Sequence, residues 1–242
     1  MLNSDTLEAR PSHLLSRLRA YWALIKDLQT GLLLVTGLAG YMSGISSSAT
    51  WRTVFKLLGS LFLTIAGSTV LNMVIDRNID AKMERTADRP LASGRVDPGE
   101  AKTLGVTMIL GGLGWALHTA PLYGAVVGIG VLFDVVVYTR WLKRRTPWSI
   151  LWGGIAGGMP ILAGRVLATG QIDLIGLGLA LAVLLWIPTH IMTFAIKYAS
   201  DYRKAGVPVF PNAYGIPVTR LIIGLSTGLA VVVMLASMYS LD

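Results

Sequence analysis

Seven apolar stretches, each long enough or nearly so to cross about 30 Å of hydrocarbon at roughly 20 residues per helix, leave this chain little choice of architecture. They lie near residues 24–45, 53–75, 102–120, 121–140, 148–168, 172–196 and 217–239. Backbone groups in lipid must find their hydrogen bonds internally, so each stretch is expected to be a helix. The expected fold is all-α, a polytopic membrane helical bundle of about seven transmembrane helices. Of the 242 residues 53% are apolar and 14% charged, and the mean hydropathy is +0.62, so the apolar character belongs to the whole chain. There is no cysteine, which excludes disulfides, thiolate metal sites and cysteine nucleophiles. Residues 1–20 carry Asp5 and Glu8 and lack an apolar core, so they do not read as a secretory signal. They read as an amphipathic segment on the cytoplasmic membrane surface, followed by a single transmembrane domain over 21–242.

The net charge of +8 is distributed by side. With the N-terminus, the loops 76–101, 141–147 and 197–216 and the start of the last span on one face, that face holds 18 of the 21 lysines and arginines. Only Arg52, Lys56 and Arg165 fall on the other. Excess positive charge marks the cytoplasmic face, so the N-terminus and these polar loops are expected there. The basic balance is topological, and no nucleic-acid partner is expected. Loops dense in Asp, Arg, Lys and Tyr that face one compartment are the place to look for chemistry.

The first such loop grows out of a span as Leu71–Val96. Asn72, Asp76 and Asp80 recur every four residues, which puts all three on one helical face. Two carboxylates one turn apart repel, and placing them at a membrane boundary adds a desolvation cost. A divalent cation relieves both, and carboxylates with an amide oxygen suit Mg²⁺, which commonly shares its site with substrate phosphates. Lys82, Arg85 and Arg89 follow as candidate diphosphate contacts. The plainer reading is a solvated, charged helix end.

A second constellation closes the sixth span. Pro188 is expected to kink that helix and let irregular backbone line a cavity. If the helix stays regular beyond it, His190 and Asp201 face the same way, with the histidine roughly 16 Å deeper. His190 reads either as a functional intramembrane group or as a neutral histidine hydrogen-bonded between helices. Asp201 shares a membrane face with Asp76, so two acidic helix ends could form a metal–diphosphate clamp flanked by Lys197, Tyr198 and Arg203. The loop after Tyr138 supplies Lys143 as a phosphate contact, whereas Arg144 and Arg145 read as topogenic charge. Asp134 is mid-span and must pair, protonate or line a cavity. Trp51, Trp141 and Trp148 read as interface anchors, and the deeper Trp186 as a pocket residue.

These residues resemble the UbiA superfamily of intramembrane prenyltransferases. The resemblance rests on Asn72-x3-Asp76-x3-Asp80 with Lys82-Met-Glu-Arg-Thr86 and Arg89-Pro-Leu-x-Ser-Gly94. Within it, Tyr138-Thr-x-Trp-Leu-Lys-Arg-Arg-Thr-Pro147, Gly153-Gly-x-Ala-Gly157, Trp186-x-Pro-x-His190 and Asp201-Tyr-Arg-Lys-Ala-Gly-Val-Pro208 look most like its protoheme IX farnesyltransferase (heme O synthase) branch. The likeness covers roughly residues 21–216 and implies a bundle around a central cavity. It implies Mg²⁺ on Asn72, Asp76, Asp80 and Asp201, with Asp76, Asp80 and Asp201 as the catalytic acids. It further implies farnesyl diphosphate on Lys82, Arg85, Arg89, Lys143, Lys197 and Arg203, and heme b beside Tyr138, Trp186, His190 and Tyr198. The product would be heme O, made in a prokaryotic inner or plasma membrane. Alternatives are another ring acceptor, such as a quinone precursor or chlorophyllide-like ring, or an impaired heme-binding or assembly protein. The chain departs from the family at Ser200, where a further acid is usual, at Arg165, where an apolar aromatic is common, and at Asp27, which breaks a Lys-Pro pattern. The family normally has about nine spans, so either the bundle closes as a homodimer, or the last two helices are missing, or the enzyme is compromised; a heme or terminal-oxidase assembly partner is a further expectation.

Overall fold

A computed structural model describes residues 13–44 and 50–241; most of the surface segment expected over 1–20 lies outside them. The described residues form α1 (His13–Leu24), α2 (Asp27–Met42), α3 (Trp51–Asp80), α4 (Pro98–Thr119), α5 (Pro121–Val131), a π-helical segment (Leu132–Leu142), α6 (Ser149–Thr169), α7 (Leu174–Lys197), α8 (Ala199–Lys204) and α9 (Phe210–Tyr239). The expected boundary at 20/21 falls inside α1, so the surface segment and the entry to the bundle share one helix.

Local sequence explains where the helices begin and end. Asp97 accepts from the backbone N–H groups of Gly99 and Glu100 at 2.7 and 3.0 Å, and Pro98 sits in the first turn of α4. Asp173 caps α7 through the Gly176 N–H at 2.8 Å, and Gly170, with φ 75°, closes α6. Between α1 and α2 the axis bends by 48° at Lys26, a non-glycine residue in the left-handed region (φ 46°, ψ 64°). Such a backbone costs roughly 1–2 kcal/mol. Asp27, the departure in the sequence pattern, accepts the N–H of Leu28 and starts α2 at that point.

By length and composition, five helices are apolar enough to cross a membrane, α3, α5 with its π continuation, α6, α7 and α9, and the bent α1–α2 pair would make a sixth. All seven expected stretches are helical. The one at 24–45 is a 16-residue helix after a break, and α4, 22 residues long, is less apolar than the others because glycine, threonine and lysine dilute its apolar residues.

Helices α2 to α6 close on one another, α3 lying against α4, α5 against α4 and α6, and α2 against α6; α7 packs on α6 and α9 on α7. Without a hydrophobic drive between helices in lipid, small residues set how closely they approach. A side chain at Gly40 would collide with the Ile161 carbonyl, and one at Gly164 with the Gly37 carbonyl, so α2 and α6 cross backbone to backbone. The ring leaves a cavity of about 530 Å³ bounded by α2, α3, the π segment, α6, α7 and the 207–210 turn. Helix α3 has 30 residues. At 1.5 Å per residue it is about 45 Å long, longer than the hydrocarbon is thick, so its acidic end projects toward the headgroup level.

Candidate active site

The acidic face of α3 lies just behind the wall at one end of this cavity, where Asp134 and Lys143 form the lining. Asn72, Asp76 and Asp80 share the face as their spacing requires, but the helix end is not solvated. Asp76 is 4% exposed and Asp80 3%. The polypeptide after α3 folds back over it. Arg89 donates from Nη1 to both carboxylate oxygens of Asp80 at 2.9 and 2.8 Å, and the Thr86 hydroxyl donates to the Asp80 carbonyl at 2.9 Å. The Lys143 ammonium donates to Oδ2 of Asp76, with Arg144 Nη2 3.8 Å from Oδ1. Arg144 also donates to the Ile75 carbonyl at 2.6 Å, so it is not merely topogenic, as its place in a basic run suggested. Burial opposes the charge on Lys143, but Tyr138 and the carboxylates of Asp76 and Asp80 outweigh it and hold the pKa above the ordinary lysine value. Lys143 is therefore an ammonium.

The π segment brings the other half of the cluster. Its i→i+5 pattern, seen where the Lys143 N–H reaches the Tyr138 carbonyl at 2.9 Å, stacks residues five apart. Asp134 therefore stands over Thr139, and Tyr138 over Lys143. Asn72 donates to Asp134 Oδ2 at 2.9 Å and accepts from the Thr139 hydroxyl at 2.9 Å, which ties the span of α3 to the π segment inside the membrane. Asp134 thus both pairs and lines the cavity. Thr139 escaped the sequence reading, because a hydroxyl in a span carries no signal until its partner is known. Asp134 and Lys143 form the cavity wall, with Asn72 and Asp76 one contact behind them.

The opposite wall is a ladder of rings on α7. Trp186 and His190 stack at 5.6 Å between centroids, Phe194 meets His190 edge-on at 5.0 Å, and Tyr198 stacks on Phe194 at 6.1 Å. Trp186, His190 and Phe194 line the cavity. His190 is exposed and makes no hydrogen bond between helices among the described residues. Tyr198 stands at the break between α7 and α8 (φ −112°, ψ 28°), where the Arg85 guanidinium lies 5.0 Å above its ring and the Lys197 ammonium 5.3 Å from the ring centre.

That break corrects two expectations. Helix α7 continues through Pro188 and is interrupted ten residues later at Tyr198, so His190 and Asp201 do not share a regular face. Asp201 is 8% exposed on α8, whose Tyr202 packs with Ile79 and Met83 near the end of α3. Its carboxylate makes no ion pair, and no group of three or more histidine or acidic side chains is placed to hold a metal among the described residues. The structure therefore does not assemble Asp76, Asp80 and Asp201 into one cage. Lys82 is exposed, and Arg203 reaches only Asn212 Oδ1 at 3.5 Å. Of the tryptophans, Trp51 and Trp141 are exposed, whereas Trp148 donates to the Tyr214 hydroxyl at 3.0 Å and packs on Phe210.

One atom in this cluster stands out. Asp76 Oδ1 is buried and has no hydrogen-bond partner among the described residues. A buried carboxylate oxygen left open costs free energy, on the order of 1–3 kcal/mol, unless something fills it. An unpartnered carboxylate oxygen is the hard donor type that Mg²⁺ takes. Asp76 Oδ1 fits such an ion, with the Asp80 carboxylate, now held by Arg89, and the Asn72 amide on the same helical face.

The UbiA prenyltransferase family matches residues 33–241. A protoheme IX farnesyltransferase of Korarchaeum cryptofilum is 41% identical over 212 residues, 88% of this chain and 71% of the relative. One from Hyperthermus butylicus is 43% identical over 210 residues, 84% of this chain and 70% of the relative. The structure of a UbiA homolog from Archaeoglobus fulgidus bound to GPP and Mg²⁺ shares the fold, with a TM-score of 0.79 at 16% identity over 91% of this chain and 78% of that one. With several apolar helices around an acid-ended cavity and these relatives, the chain belongs to the UbiA family and is an intramembrane prenyltransferase.

Proposed function

We propose that the chain transfers a farnesyl group from farnesyl diphosphate to a vinyl group of heme b, giving heme O and diphosphate. The observation that carries this reading is the acid–cation cluster at one end of an apolar cavity whose facing wall is an aromatic and histidine ladder. The relatives at about 40% identity carry that activity in their names. Asp76, Asp80 and Asn72 would hold Mg²⁺ at the acidic end. When bound, the ion supplies charge neutralisation for a diphosphate.

Lys143, Arg89 and Arg85 stand where a diphosphate would meet the cluster, and as fixed cations they stabilise charge that grows on the leaving oxygen. Arg144 supports them from behind Asp76. Lys82, Lys197 and Arg203 would be further contacts for the diphosphate. The C1–O bond of the donor breaks, its electron pair leaves with diphosphate, and the allylic cation is left in a largely apolar chamber that limits its quenching by water. The vinyl carbon then donates its π pair to that cation. Water adds to the resulting cation beside the ring and loses a proton, which completes a hydroxyalkyl product. Trp186 and His190 present flat faces against which a porphyrin would lie. The acid cluster and its basic rim would face the cytoplasm of a prokaryotic cell, a reading the charge asymmetry of the loops supports.

The acceptor is tested by offering one labelled farnesyl diphosphate to the purified chain in lipid with heme b, a quinone precursor and a chlorophyllide-like ring in parallel. The proposal expects label in a heme product alone. Label in another ring would move the chain to that acceptor, and heme binding without product would leave it a heme-binding protein.

A further inference from the structure

A second cavity, also of about 530 Å³, opens on the other side of the acidic helix end, between α1 and the loop that follows α3. Its charged lining is Arg19, Lys26, Arg85, Arg89 and Arg95 against one carboxylate residue, Asp88. Arg89 is committed to Asp80, and Arg95 donates to the Asp88 carbonyl and to the Ser93 hydroxyl, so backbone and hydroxyl rather than acid hold it in place. Arg19 and Lys26 form no ion pair among the described residues. Lys26 sits at the left-handed turn between α1 and α2, and that strained residue is part of the wall. Cations that outnumber the acids in a concave site focus a positive potential and raise the local concentration of anions. Guanidinium groups are suited to phosphate oxygens in particular.

Two features say where the anion would come from. Arg85 lines both cavities, so the two share one guanidinium. On the outside, α1 exposes Leu15, Leu18 and Trp22, which sets the cavity mouth at the depth of lipid headgroups. We propose that this cavity is a second anion site, separate from the acid cluster, that takes a phosphate or diphosphate group. The source is either free diphosphate or the headgroup of an anionic phospholipid.

The test uses the full chain in neutral detergent at low salt with EDTA present, so that bare carboxylates keep anions out of the acid cluster and no turnover is needed. One arm titrates sodium pyrophosphate by calorimetry. The other compares retention of phosphatidylglycerol with phosphatidylcholine by native mass spectrometry. Binding is expected in at least one arm, weakened roughly tenfold or more in the Arg19→Gln/Arg95→Gln variant and restored to neither level by extra lipid of zwitterionic type. A positive pyrophosphate arm assigns the site to the product, and a positive phosphatidylglycerol arm to the bilayer. Arg19→Gln alone removes an exposed, unpaired side chain, so it decides the matter if the double variant fails to fold; roughly fivefold weaker binding is expected. Binding equal to wild type in both arms for the folded variants overturns the proposal. Binding lost instead in Lys143→Gln, with Arg19→Gln unchanged, places the anion in the acid cluster and overturns it as well. A chain that binds as expected yet forms no prenylated product would contradict the proposed function and leave this site standing.

Discussion

The molecule holds two buried arginine- or lysine-to-aspartate clusters, one at each end of the bundle, and they are built differently. At the far end Arg165 is 5% exposed and fully engaged. It donates from Nε and Nη2 to Asp173 at 2.7 to 2.9 Å, and from Nη1 to the carbonyl and hydroxyl of Ser43 at 2.7 and 3.1 Å. It joins the start of α7 to the end of α2, and neither residue lines the cavity. At the near end Asp76 and Asp80 have their cations, but Oδ1 of Asp76 is left open, and Lys143 faces an apolar chamber. A closed cluster holds helices together. An open one of the same chemistry, next to a cavity, is available to a ligand.

Four substitutions or conditions sharpen that contrast. Asp76→Asn should lower turnover by roughly 10²–10³-fold, because it removes a charged donor from the open cluster. It should also cost stability, since Lys143 is left without its partner, so activity is to be read per folded molecule with thermal unfolding alongside. Lys143→Gln should lower kcat by about 10–100-fold with a smaller change in KM, as expected for a cation that acts mainly on the leaving group. Arg165→Met should do the reverse. Breaking the closed cluster should destabilise the protein by about 3 kcal/mol, measured by denaturation in detergent, while turnover of the folded fraction stays within about twofold. Loss of turnover in a folded Arg165→Met protein would erase the distinction between the two ends. The smallest effect concerns acid. The hydrogen bond from Arg165, opposed by partial burial and helped by the Gly176 N–H, holds the Asp173 carboxyl below the usual carboxylate range. Its contribution is present above the unfolded pKa of about 3.9 and is lost as pH falls through the lower folded value. Because Asp173 is partly exposed, the loss should be under about 1 kcal/mol. Unfolding curves at pH 5 and pH 3 should show it in the native protein and not in Arg165→Met.

Much of this was legible in the residues because it follows from period and charge. The spacing of Asn72, Asp76 and Asp80 put them on one face, and the carboxylate inside a span at Asp134 announced that it needed a partner. Arg165, a departure from the family pattern, is answered by Asp173 eight residues on. What escaped depends on how the chain closes on itself. No local signal marks the π segment, yet it alone stacks Asp134 over Thr139 and Tyr138 over Lys143. Asp76 reads as solvated until the 82–96 loop and Lys143 cover it. The break at Tyr198, not Pro188, separates His190 from Asp201, because proline removes one hydrogen bond that a helix packed on both sides tolerates, whereas the chain must turn at Tyr198 to lay α8 against α3.

The most direct test of the account is turnover of the purified chain in lipid with heme b, farnesyl diphosphate and Mg²⁺, with and without EDTA. The account predicts heme O and diphosphate in equal amounts, abolished by EDTA and restored by added Mg²⁺. Product formation that survives EDTA would contradict the metal-dependent acid cluster, and a folded, heme-binding chain that makes no product under any of these conditions would contradict the proposed reaction.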